Sequence, residues 1–226
     1  MSSGRRPSAR SRRIGQSDPL IGKGGAERAR GLRADIAGNL RRFERAPNSA
    51  KGTPAAVALV LLIDGDGRAS MPMFIRAAGL ARHAGQFALP GGKLDSGENA
   101  SAAACRELQE ELGLVATDDM VLGCLDDFDT RSGFTITPVV IWGGAGMSDL
   151  QPSQDEVAEL FLLPLDELRA AVAGAARGSS RAFGLDLPWG RIYAPTAAIL
   201  FQFSEVALDG RSSRVNDFYQ PPFARR

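Results

Sequence analysis

Apolar residues along this chain gather into short runs separated by clusters of turn-forming residues. Ala55–Ile63 (AAVALVLLI) is an unbroken apolar run between Pro54 and Asp64-Gly65-Asp66-Gly67, the pattern of a buried strand followed by a tight turn, with Met73–Arg76 as its returning partner. Further strands are expected at Met120–Asp127, Thr135–Trp142 and Leu160–Leu163, a helix over Leu165–Ala176, and a helix or a strand near Ala197–Phe203. Ile36, Leu40 and Phe43 recur at helical spacing within Asp35–Arg45, and Asn48 to Pro54 reads as a linker. Between Gly85 and Leu114 the chain passes from turn chemistry, with a bend at Leu89-Pro90-Gly91-Gly92, to a helical run that Gly113 ends as a C-cap. Strands mixed with a few helices and no internal repeat predict an α/β (α+β) sandwich.

The 226 residues fit one domain, and 44% hydrophobic with 23% charged residues is a globular composition. Charge divides the chain. Residues 1–50 carry 12 Lys/Arg against 4 Asp/Glu, and the remainder 15 against 22, so a net charge of +1 hides two regions of opposite sign. The expected organisation is a basic, disordered arm over 1–34, a domain over 35–210 and a tail over 211–226. The first 17 residues have the Arg- and Ser-rich composition of an organellar transit peptide, but Gly4 and Pro7 interrupt any helix and only Ile14 is bulky and apolar, so a disordered tail is the preferred reading. The arm has almost no aromatic residues for stacking on bases, which argues against nucleic acid as a partner. No apolar run approaches the length of a membrane span. Cys105 and Cys124 are too few for a disulfide framework and lack metal-ligand spacing. A soluble, cytoplasmic protein is expected, with a mitochondrial or other organellar location as the alternative; no nucleic-acid or membrane partner is expected, and a homodimer is a candidate assembly.

The chemistry concentrates in one helix. Glu107, Glu110 and Glu111 stand at i, i+3 and i+4, so their side chains fall within roughly a 100° arc. Like charges that close repel, and the arrangement makes sense around a cation; hard oxygen ligands on a rigid helix suit Mg²⁺ or Mn²⁺. Ala104, Cys105, Leu108 and Leu112 form an apolar face that anchors the helix, and Arg106 lies where it can orient carboxylates. Taken alone, a Glu-rich run is more often a solvated helix.

The whole segment Gly92–Leu114 overturns that bland reading. Gly92, Glu98, Arg106-Glu107-Leu108, Glu110-Glu111 and Gly113-Leu114 stand at the spacings of the Nudix box, nine positions without a gap, and the chain is identified by resemblance as a Nudix hydrolase. The resemblance implies a mixed β-sheet sandwiched between α-helices. It also implies metal ligation by Glu107, Glu110 and Glu111 with the carbonyl of Gly91 or Gly92, and a catalytic group of Glu110 and Glu107 supported by Arg106 and Glu98.

Upstream, Arg76, Arg82, His83, Gly85, Gln86 and Pro90-Gly91-Gly92 resemble the coenzyme A pyrophosphatase branch of that family, as do Ile136–Val140 and Asp155–Leu165 downstream. Ala77, Ala81 and Tyr193-Ala194 depart from the branch's usual Ser, basic residue and Trp-Gly. This implies hydrolysis of coenzyme A or acyl-coenzyme A to 3′,5′-ADP and (acyl-)4′-phosphopantetheine. Arg76, Arg82, His83, Gln86 and Gly92 are then the candidate substrate contacts, the two arginines as counter-charges to the 3′-phosphate. Glu156 is a candidate general base, with a plain sheet-edge carboxylate as the alternative. Other nucleoside-diphosphate derivatives, or a non-catalytic nucleotide sensor, are the competing functions.

Overall fold

In a computed structural model, residues 22–46, 51–77, 85–145, 149–175, 183–218 and 220 are described. The strand expected at Ala55–Ile63 is β1 (Thr53–Ile63), and it organises everything else. Along its length it pairs in parallel with β7 (Phe134–Gly144). On its other side its last residues pair antiparallel with β2 (Ala69–Arg76), and its first residues with the short β4 (Gly91–Lys93). β2 carries β3 (Phe87–Ala88) and β8 (Val157–Pro164), while β7 carries β5 (Val121–Cys124) and β6 (Phe128–Asp129), completing a mixed eight-stranded sheet. β9 (Gly184–Leu187) and β10 (Gly190–Tyr193) form a separate hairpin.

β1 has no polar face because both of its faces are covered. Ala56, Ala58, Val60 and Leu62 pack under α2 (Ala100–Leu112) through Ala103, Ala104, Leu108 and Leu112. Leu59, Leu61 and Ile63 point the other way, into a larger core shared with α1 (Lys23–Arg42), α3 (Leu165–Ala173) and α4 (Thr196–Gln202). The predicted sheet between helices is therefore the observed architecture. No helix among the described residues is long and apolar enough to cross a membrane.

Two expectations need correction. The helix expected from Asp35 begins at Lys23, inside the stretch assigned to a disordered arm. Its buried positions Gly25, Ala29, Ile36 and Leu40 form one stripe, but the first two are too small to register as hydrophobic. Gly25 is small for a reason: a Cβ there would stand 3.0 Å from the backbone of the Gly65–Gly67 turn, against which the helix packs. At the other end, part of the expected tail is docked. Val215 is buried, Arg214 pairs with the buried Asp126, and Gln220 donates to the Asp129 carbonyl. The β9–β10 hairpin was not anticipated, and the open choice near Ala197–Phe203 resolves as a helix that continues into a π-helical stretch, Phe203–Leu208. α4 is buried all round, so its apolar run carries no period.

Candidate functional site

Asn99 starts α2 by accepting from the Ala102 N–H at 2.9 Å, and Gly113, left-handed at φ 71°, ends it. The chain after Leu150 then closes the last turn: Gln151 and Ser153 donate to the carbonyls of Leu112 and Glu111. These contacts fix the rotation of the helix, and with it the direction of each glutamate.

β4 runs across the helix and receives those glutamates. The Gly91 N–H donates to Glu111 Oε2 at 2.9 Å, and Glu111 Oε1 accepts from Arg76 Nη1 at 3.2 Å. Glu107 fills the space above Gly92, where a Cβ would stand 2.2 Å from Glu107 Oε1. Arg106 collects the rest. Its Nε and Nη2 donate to both oxygens of Glu98 at 3.1 Å each, its Nη1 to Glu107 at 2.8 Å and Glu110 at 3.1 Å, and its Nη2 also to the Lys93 carbonyl at 3.0 Å.

The glutamates differ in environment. Glu111 is 1% exposed; burial pushes its carboxyl up to about 8, with the charges of Glu107 and Glu156 adding to the rise and the Gly91 N–H and Arg76 opposing it. Burial also raises Glu107, reinforced by Glu110 and Glu156 and opposed by Arg106. Glu98 is held below the usual carboxylate range by its hydrogen bonds from Arg106. Glu110 is exposed. The sequence reading placed Glu111 on the open acidic face; it lies at the edge of the buried one, drawn there by the Gly91 N–H.

Excess negative charge made of hard oxygen donors, part of it desolvated, is the chemistry that a divalent cation satisfies. Glu107, Glu110, Glu111 and the adjacent Glu156 fit that role. Among the described residues no three such groups already enclose one point, and one oxygen each of Glu107, Glu110 and Glu111 is paired with Arg106 or Arg76.

A cavity of about 500 Å³ opens on the far side of β4. Val57, Ile136, Ile192 and Ile199 line its apolar walls, Arg76, Lys93 and Arg191 bring positive charge, and among the described residues no Asp or Glu lines it, although Glu111 pairs with Arg76 and Asp186 with Arg191. Arg76 belongs to both regions.

A model of the NUDIX domain matches residues 52–183. The chain belongs to the Nudix family. Among its relatives are an uncharacterized Nudix hydrolase NudL of Pectobacterium atrosepticum, 46% identical over 95 residues (41% of this chain and 48% of that one), and Nudix hydrolase 3 of Caenorhabditis elegans, 34% identical over 133 residues (58% and 55%). The chain thus spans about half the length of the curated relatives it matches. A crystal structure of a C. elegans Ap4A hydrolase binary complex aligns with 67% of this chain and 95% of its own at 18% identity and a TM-score of 0.44.

Within the Nudix box the structure brings together Gly91, Gly92, Glu98, Arg106, Glu107, Glu110 and Glu111. Arg76 joins them through Glu111, and the charge of Glu156, the candidate general base, adds to the rise of both Glu107 and Glu111. Gln86 lines the cavity and accepts from the Arg76 N–H through its carbonyl. Arg82 and His83 lie outside the described residues. Sequence reasoning missed Lys93 and Arg191 and noticed Tyr193 only as a departure from a pattern; the alternation of the β10 residues Arg191 and Tyr193 was the available signal. Cys105 and Cys124 are partly buried free thiols whose ionisation burial disfavours, which fits neither a nucleophile nor a metal ligand.

Proposed function

We propose that this Nudix protein hydrolyses the diphosphate linkage of a nucleoside-diphosphate compound with the help of Mg²⁺ or Mn²⁺. Coenzyme A and acyl-coenzyme A are the substrates and 3′,5′-ADP and (acyl-)4′-phosphopantetheine the products. The observation that carries this reading is the pairing of a desolvated carboxylate cluster on one side of β4 with a cavity lined by Arg76, Lys93 and Arg191 on the other. Apolar walls with Arg76, Lys93 and Arg191 among them suit an anionic substrate with an apolar body, its diphosphate lying at Arg76 and β4 beside the carboxylates.

Glu107 and Glu111, joined by Glu110 and a carbonyl of β4, would hold the cation, which when bound supplies positive charge to the phosphate oxygens and makes a water more acidic. Arg106, fixed by Glu98, holds Glu107 in place. Arg76 bears on the diphosphate from the cavity side. Glu156 is the group proposed to accept the proton of the water as it adds to phosphorus and the bridging P–O bond breaks. A cytoplasmic location goes with this reading.

A panel of coenzyme A, acyl-coenzyme A, ADP-ribose, dinucleoside polyphosphates and oxidised nucleotides, assayed with Mg²⁺ and with Mn²⁺, tests it. Coenzyme A compounds should turn over fastest, and Glu107→Gln should lower kcat by ~10²-fold or more with the fold intact. Faster turnover of another class would overturn the coenzyme A assignment. One observation favours that second reading: Arg76, expected to meet the 3′-phosphate, is committed to Glu111.

A further inference from the structure

The cavity beside β4 is lined by two unlike groups of residues: Arg76 and Gly91, next to the carboxylates, and the β9–β10 hairpin, which contributes Arg191 and Tyr193. Residues 191 and 193 are two apart on a strand and project from the same face. Gly184, paired with Tyr193 across the hairpin, leaves room for both: a Cβ there would stand 3.0 Å from Arg191 Nε and 3.3 Å from Tyr193 Cδ1. Asp186, opposite Arg191, accepts two hydrogen bonds from its Nη1 at 2.8 and 2.7 Å, which orients the guanidinium. Arg191 Cζ lies 5.7 Å from the centroid of the Tyr193 ring. The hairpin is itself anchored, because Trp189 at its turn stacks on Phe161 with centroids 4.9 Å apart and lies 6.3 Å from Phe87.

An aromatic face next to an oriented guanidinium, opposite apolar walls, is suited to a ligand that is both flat and anionic. A nucleobase supplies the flat surface whatever its hydrogen-bonding edge, and a ribose phosphate supplies the charge that an arginine fork recognises better than an ammonium does. An unbranched or acylated amide chain would use neither feature.

We infer that Tyr193 and Arg191 form the nucleotide subsite of the substrate, with the base on Tyr193, a ribose phosphate on Arg191, and the scissile diphosphate extending toward Arg76 and Glu111. This rests on the reading that the substrate is a nucleoside-diphosphate compound. The non-nucleotide half then leaves through the open mouth of the cavity, and the hairpin sets which nucleotide is accepted.

Equilibrium binding to the full chain tests the subsite without turnover, using 3′,5′-ADP, 5′-AMP and 4′-phosphopantetheine as separate probes in calorimetry. Tyr193→Ala should weaken both nucleotides by ~10-fold and leave phosphopantetheine unchanged, while Tyr193→Phe keeps most of the nucleotide affinity. Arg191→Ala should weaken 3′,5′-ADP by ~10-fold and 5′-AMP much less. Arg191 is exposed, so this variant carries the test even where Tyr193→Ala does not fold. The inference is overturned by a loss confined to phosphopantetheine, by unchanged affinities in folded variants, or by a wild-type protein that binds neither nucleotide. Hairpin-dependent binding of 5′-AMP by a protein that leaves coenzyme A intact would sink the coenzyme A assignment and keep the subsite. Coenzyme A hydrolysis with hairpin-independent nucleotide binding would do the reverse.

Discussion

Replacing Glu111 with Gln separates the electrostatic account of the carboxylate cluster from a purely steric one. In the native chain this carboxyl is pushed from an ordinary 4.5 up to about 8, chiefly by burial. Between those two pH values the native state keeps a proton that the unfolded chain releases. Native stability therefore falls as pH rises through this window and levels off above it. At about 1.4 kcal/mol per tenfold change in proton affinity, the full displacement corresponds to on the order of 5 kcal/mol. Gln keeps the shape and can still accept from the Gly91 N–H, but it does not titrate. What it gives up is the charge opposite Arg76, whose side chain is 24% exposed and can turn to water.

The assay is urea unfolding in EDTA at intervals from pH 5 to pH 9. The wild-type protein should lose stability from pH 5 to about pH 8 and level off by pH 9. Glu111→Gln should be close to wild type at pH 5, more stable by pH 9, and left with only the shallower slope that the raised Glu107 produces. Saturating Mg²⁺ should restore the wild-type protein at pH 8 to 9 and do far less for the variant. Parallel stability curves for the two proteins in EDTA would refute the argument, because they would mean that the buried carboxyl contributes nothing to the pH dependence.

Two further outcomes follow from particular contacts. Gly92→Ala places a methyl group where Glu107 Oε1 lies, so kcat should fall by ~10-fold or more through displacement of that carboxylate, with isothermal titration showing weaker Mn²⁺ binding and circular dichroism an unchanged fold. Asp126→Asn removes the charge that receives two bonds from Arg214 Nη1 while Gln202 and the Ala46 N–H also donate to it; it should cost on the order of 1–3 kcal/mol in urea unfolding and expose the segment around Val215 to hydrogen exchange.

The parts of this molecule legible in its sequence are those where one residue type answers one local requirement. β1 could be read because a strand covered on both faces is apolar throughout, and α2 because its spacing places three glutamates on one arc and ends at a left-handed glycine. The first turns of α1 were illegible for the opposite reason: close packing against a turn selects Gly25 and Ala29, and small residues carry no hydropathy signal. The hairpin was hidden because its strands are four residues each and its anchor, Trp189, stacks on residues remote in sequence. Burial also reassigned Glu111. Three glutamates on one arc are equivalent on paper, yet the one facing the Gly91 N–H is drawn fully inward, Glu107 partly, and Glu110 stays exposed.

That inequality traces back to β4, whose three residues each secure a different side chain of α2. Gly91 holds Glu111 by its N–H, Gly92 makes room for Glu107, and Lys93 fixes Arg106 by its carbonyl. Two of the three have no side chain, so the partition between the carboxylates and the cavity is one backbone thick at that point. Where alternation resumes, Lys93 extends to the cavity side, 5.8 Å from the ring of Phe134, while its carbonyl serves the helix. A side chain at either glycine would meet atoms already in place, the Ala56 carbonyl and Val57 at Gly91 and the Glu107 carboxylate at Gly92. The Pro-Gly-Gly segment is thus more than a bend before a helix: it is the strand that seats the carboxylates of α2 and also lines the cavity.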